Sequence, residues 1–99
     1  MSDPLYLVGE SARIHVRVAD ISGAVIDPVS LVLRVKTAGG AVTAYTYGMN
    51  AEVVRESTGI YHADIALPTA GQWSYRWEVA APNAGVAEGS INVQKSRVI

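Results

Sequence analysis

Between Gln72 and Val79 the chain reads Gln-Trp-Ser-Tyr-Arg-Trp-Glu-Val, with Trp73, Tyr75, Trp77 and Val79 at every second position and Ser74, Arg76 and Glu78 between them. A period of two puts alternate side chains on opposite faces of a pleated strand, so one face of this segment suits a core and the other suits water. A helix cannot present that pattern, because at about 3.6 residues per turn the four large side chains would scatter around its circumference. The segment therefore commits the chain to a sheet. It also commits both indoles to the buried face, where each removes roughly 200 Å² from water.

The same period recurs along the chain. Ile14, Val16 and Val18 alternate with polar residues in 12–19, and Leu31, Leu33 and Val35 oppose Arg34 and Lys36 in 29–36. From Gly59, Tyr61, Ala63, Ile65 and Leu67 share one face while His62 and Asp64 take the other; Ala87, Gly89, Ile91 and Val93 are in phase in 86–93. Residues 41–47, rich in Val, Thr and Tyr, predict a shorter strand, and 52–56, with only Val53 and Val54 apolar, a short one near an edge. Turn formers separate these runs: Asp20-Ile21-Ser22-Gly23, Asp27-Pro28, Ala38-Gly39-Gly40, Gly48-Met49-Asn50, Pro68-Thr69-Ala70-Gly71 and Pro82-Asn83-Ala84-Gly85. No window carries the apolar stripe of an amphipathic helix, so essentially no helix is expected. About seven short strands with a turn about every 8 to 12 residues predict an all-β chain folded as an immunoglobulin-like β-sandwich of antiparallel strands. A small closed barrel shares the alternation and is the alternative.

At 99 residues the chain has room for a single domain, 1–99, with short arms at 1–8 and 95–99. Its 49% of hydrophobic against 17% of charged residues is the balance of a chain that buries a core. With no Cys, packing rather than disulfides must hold that core. A net charge of -1 lacks the cationic excess that phosphate backbones attract, so no nucleic-acid partner is expected. The apolar runs break far short of the roughly 20 residues that cross a bilayer, so no membrane partner is expected either. Met1-Ser2-Asp3-Pro4 has neither the basic nor the apolar region of a signal peptide, which leads us to expect synthesis in a cytoplasm.

Reactive constellations are missing from the pattern. There is no Gly-x-Ser-x-Gly, Gly39-Gly40 lacks the Lys and Ser/Thr of a phosphate-binding loop, and Glu52, Glu56, Asp64 and Glu78 are spread over separate strands. His15 and His62, the only histidines, are expected to face water, and neither has a carboxylate at zinc-site spacing. Asp3, Asp20 and Asp27 lie in turns without the ligand density of a calcium loop. The reading is therefore no catalytic residue, no cofactor and no metal ligand. Gly59-Ile60-Tyr61 resembles the tyrosine corner of immunoglobulin domains, with the ring inside, the hydroxyl on a nearby backbone group, and Ala63 where such domains place a Cys.

From Tyr6 almost to its end the chain resembles the short immunoglobulin-like virion structural proteins of tailed bacteriophages. The resemblance rests on Tyr6-Leu7-Val8-Gly9-Glu10, on Asp20-Ile21-Ser22-Gly23 with Asp27-Pro28, and on Gly59-Ile60-Tyr61-His62-Ala63 leading to Leu67-Pro68-Thr69-Ala70-Gly71-Gln72-Trp73-Ser74-Tyr75-Arg76-Trp77. It implies a non-enzymatic structural role in a virion assembled from parts made in the host cytoplasm. The implied partners are other virion proteins of capsid, connector or tail, met in multiple symmetric copies.

Two segments are candidates for docking. In 42–47, Val42 and Ala44 fall on one face and Tyr45 and Tyr47 on the other, so both faces of an expected edge strand carry apolar or aromatic groups. Leu5, Tyr6 and Leu7 form the second candidate, an arm that pairs with a neighbouring subunit. A different class of function, a carbohydrate- or surface-binding module that uses exposed tyrosines, fits the same residues. Tyrosines that instead cover the sandwich rim are the purely structural reading of 42–47.

Overall fold

Eight strands carry the alternating segments in the computed structural model, which describes residues 5–80 and 85–95. They are β1 (Leu5–Leu7), β2 (Ser11–Arg17), β3 (Leu31–Lys36), β4 (Val42–Thr46), β5 (Val53–Ser57), β6 (Ile60–Ala66), β7 (Gly71–Val79) and β8 (Gly85–Gln94). One sheet runs β1-β8-β7-β3-β4 and the other β2-β6-β5. All neighbours are antiparallel except β1, which lies parallel to β8. Among the described residues there is no helix. With β2-β6-β5 facing β8-β7-β3, and β4 extending the larger sheet by one strand, the strand order is that of an immunoglobulin-like sandwich.

The period of two sets what the sheets enclose. Ala12, Ile14, Val53, Tyr61, Ala63 and Ile65 come from the smaller sheet, and Leu31, Leu33, Val35, Trp73, Trp77, Ile91 and Val93 from the larger. Both indoles are buried as the alternation requires, Trp77 lying opposite Leu33 and Ala87 in the ladder. The Trp73 Nε1–H donates to Thr69 O at 3.1 Å, whereas the buried Trp77 Nε1–H has no partner. On the outer face of the larger sheet Arg34 reaches Glu78 at 2.9 Å, and Arg76 bridges Glu78 at 2.9 Å and Glu88 at 3.1 Å. Such exposed pairs add little stability singly. They keep that face wet.

Asp27, in the loop between β2 and β3, ties the end of the sandwich together. Its Oδ1 accepts from Arg55 Nε at 3.1 Å, from the Gly59 N–H at 2.9 Å and from the Tyr61 hydroxyl at 3.0 Å, and its Oδ2 accepts from Arg55 Nη2 at 3.0 Å. The Arg55 guanidinium first, and the Gly59 amide next, hold this carboxyl down at about 2. Burial and the neighbouring Asp27 push the Tyr61 phenol up. Asp20 plays a local part, its Oδ1 accepting from Ser22 N–H, Ser22 Oγ–H and Ala24 N–H to pin the turn after β2.

Residues 5–7 form β1 beside β8 of the same chain, which brings the strands to eight. Other expectations need correction. Residues 1–4 and 96–99, with the rest of the expected arms, and Asp3 with them, lie outside the described residues, as do 81–84. β3 starts at Leu31, not Val29, which is 82% exposed beside Pro28. Tyr61 is inside, yet β6 takes the strand position before the one that bears the tyrosine corner, and its hydroxyl reaches a carboxylate rather than backbone. His62 does not face water: its residue is only 8% exposed.

Candidate functional site

A sandwich of this kind meets partners through its edges, where strands keep unpaired backbone groups, or through a cluster on a face. The larger sheet ends in β1 and β4, the smaller in β2 and β5. The six docking candidates fall on the two ends of one sheet: Leu5, Tyr6 and Leu7 on β1, Val42 and Tyr45 on β4, with Tyr47 directly after it. Four strand spacings of about 4.8 Å separate those edges by about 19 Å, so they are two surfaces.

The β1 edge is closed by its own turn. Val8 N–H donates inward to Gln94 O at 3.0 Å, which turns the Leu7 amide outward, where it meets Glu10 Oε1 at 2.7 Å. The Leu7 carbonyl in turn accepts from Glu10 N–H at 3.1 Å. Tyr6 is half-buried against the core and Leu7 is exposed.

The β4 edge is different. Tyr47 N–H donates inward to Leu31 O at 3.0 Å and Thr37 N–H to Ala41 O at 2.9 Å, so by alternation Val42, Ala44 and Thr46 turn their backbone groups away from β3. The Thr46 amide is capped by Asn50 Oδ1 at 2.8 Å. Val42 and Ala44 remain as an outward strand edge, in a six-residue run, 42–47, with no charge. Val42 is 57% exposed on the solvent face. On the other face Tyr45 packs half-buried against the core, and Tyr47 sets its ring edge-on to Tyr61 at 5.1 Å and 76°. The tyrosines thus line the sandwich rim, while Val42 and Ala44 look outward. The other edges carry guards: β2 has Arg13, His15 and Arg17, and β5 has a bulge between Arg55 and Ser57.

The smaller sheet assembles a second feature on its outer face. His15 on β2 stands directly opposite His62 on β6, with ring centroids 5.9 Å apart. Arg55 pairs with Tyr61 and Ser57 with Ile60, so Glu56 is the extra residue of the β5 bulge. A bulge re-aims its side chain. Here Glu56 Oε2 lies 3.1 Å from His62 Nδ1 and 3.4 Å from His15 Nε2. His62 Nδ1 is buried and, close as the carboxylate is, lacks the alignment of a hydrogen bond. Two residues along the same pair of strands, Arg13 holds Asp64 in a two-pronged pair at 2.8 and 2.9 Å, and this guanidinium lowers the Asp64 carboxyl below its usual range. Reading along the chain missed the cluster because its three members come from three strands, and no spacing in sequence announces a bulge.

Neither a protein-family model nor a curated protein sequence matches the chain. Among solved structures it is similar to a chain in the crystal structure of the ZIG-8 IG1 homodimer, at 16% identity and a TM-score of 0.51, over 96% of this chain and 82% of that one. It is also similar to a chain in the crystal structure of Dpr11 IG1 bound to DIP-gamma IG+IG2, at 16% identity and a TM-score of 0.57, over 95% of this chain and 99% of that one. The class is thereby defined: the chain is an immunoglobulin-like β-sandwich.

Proposed function

We propose that the chain is a non-enzymatic structural protein of a tailed-phage virion, which docks on capsid, connector or tail proteins by laying its β4 edge against a strand of the partner. The single observation that carries docking is that edge: outward backbone at Val42 and Ala44, no charge in 42–47, and a cap only at Thr46. Main-chain hydrogen bonds supply affinity in such strand addition, and alternate side chains supply choice of partner. The virion role is supported by the resemblance carried by 6–10, by 20–23 with 27–28, and by 59–63 with 67–77. The similar structures, one a homodimer and one a bound complex by their descriptions, are consistent with a protein partner. Sugar stacking is less well served, since Tyr45 is half-buried and Tyr47 leans on Tyr61.

The test is co-sedimentation with purified heads and tails of a tailed phage that encodes this chain. Wild-type chain is expected in the pellet. Ala44→Pro removes an outward amide that β3 does not use, so it should leave the thermal midpoint nearly unchanged and abolish sedimentation. Leu7→Lys, on the closed edge, should still sediment. A wild-type chain that stays in the supernatant would refute the role, and a sedimenting Ala44→Pro variant would refute the edge.

A further inference from the structure

We propose that His15, Glu56 and His62 form a binding site for one divalent transition-metal ion of the zinc class, on the outer face of the smaller sheet and independent of docking at β4. Three adjacent strands each supply one donor, and one donor atom from each lies within 4.8 Å of the others. Zinc bonds of about 2.0 to 2.1 Å at tetrahedral angles separate donor atoms by about 3.3 Å. The two separations to Glu56 Oε2, 3.1 and 3.4 Å, already match that edge length. Only the two imidazole nitrogens need to approach, and the His15 side chain, 58% exposed, has room to swing.

His62 supplies the second line of support. Its side chain is nine-tenths buried, and Nδ1 lies 3.1 Å from Glu56 Oε2 without the alignment of a hydrogen bond. A buried nitrogen without a partner is costly, and a cation placed between it and the carboxylate would satisfy both. The β5 bulge brings the Glu56 carboxylate to that position, and His62, on the central strand, is held by neighbours on both sides. Two imidazoles and one carboxylate suit zinc, while calcium and magnesium prefer all-oxygen sets. Three protein donors leave the fourth tetrahedral position to water, on the side where His15 and Glu56 are exposed.

The whole sequence has two histidines and no cysteine, so any imidazole-dependent metal binding must come from this cluster. Zn²⁺ alone is titrated calorimetrically into the full chain without a histidine tag, while the two imidazole rings are followed by NMR. One ion per chain is expected, with both rings shifting together up to one equivalent. His15→Ala and Glu56→Ala, both on exposed side chains, should each weaken binding at least as much as the roughly 10 to 100-fold that loss of an outer-shell partner costs a metal site. Zn²⁺ should also raise the thermal midpoint of the wild type and not that of these variants, and Mg²⁺ should do neither. No heat and no ring shift would overturn the proposal, as would Zn²⁺ binding that survives both substitutions. His62→Gln is a third arm; were it to fail to fold, the exposed pair would still decide.

Discussion

Gly59→Ala separates two kinds of strain at one position. Gly59 has φ +72°, and a Cβ built there would lie 2.6 Å from Val18 O and 3.0 Å from both Ile26 N and Ile26 O. These are backbone atoms held by their own bonds, Val18 N–H to Gly59 O at 2.7 Å and Ile26 N–H to Val18 O at 3.0 Å, so they cannot step aside cheaply. The left-handed backbone costs an L-residue about 1 to 2 kcal/mol. Forcing a methyl into packed surroundings costs about 1 to 3 kcal/mol more. The sum, about 2 to 5 kcal/mol, is a large part of the roughly 5 to 15 kcal/mol that holds a domain of this size. Gly48 is the control: its φ is +90° with open space around it, so Gly48→Ala should show the backbone cost alone. Urea unfolding followed by tryptophan fluorescence should place the Gly59→Ala midpoint about 1 M below that of Gly48→Ala, with an unchanged slope. Equal midpoints would show that the methyl is accommodated and that 18, 26 and 59 do not form a rigid knot.

Three further outcomes follow from the same geometry. Tyr61→Phe should cost about 1 to 2 kcal/mol by urea titration, no more, because Asp27 keeps its bonds to Arg55 and Gly59 when the hydroxyl goes; a silent substitution would refute the bond. Asp27 is held below its ordinary 3.8, so the unfolded chain takes up its proton first, and the stability this carboxylate contributes is present above about pH 4 and lost as pH falls towards 2. Asp64, lowered by Arg13, and Glu78, lowered by Arg34, act in the same direction, so Asp27→Asn should lessen the acid loss of the urea midpoint without removing it. Trp73 and Trp77, buried together, should resist acrylamide quenching until the chain unfolds, and ready quenching of either in the native protein would contradict the packing.

The alternation of large and polar residues was enough to locate the long strands and to choose their inner faces. Ile14, Leu33, Tyr61, Trp73, Trp77 and Ile91 are buried because period two admits no other orientation once one face meets a core. Pairing was not legible in the same way. Nothing local says that 5–7 lies parallel to β8, and three residues are too few to show a period. His62 was misplaced because alternation reports only which face of a sheet a residue occupies. On the central strand of three, flanked by His15 and Val54, even the outer face is covered. The β4 edge was half readable: the sequence places 42–47 at an edge, but the direction of each backbone group depends on the register with β3 and on the Asn50 cap. Asp27 carried no signal beyond being a turn former, because its partners Arg55, Gly59 and Tyr61 are about thirty residues away.

Sandwiches of this class often rivet their two layers with sulfur. Here the layers close on two indoles and a single carboxylate hub, and the sequence has no thiol to oxidise. Folding of these 99 residues needs neither an oxidase nor an isomerase of disulfides, and a reductant has no bond to cut in them. The fold of these residues is therefore indifferent to whether its surroundings reduce or oxidise thiols.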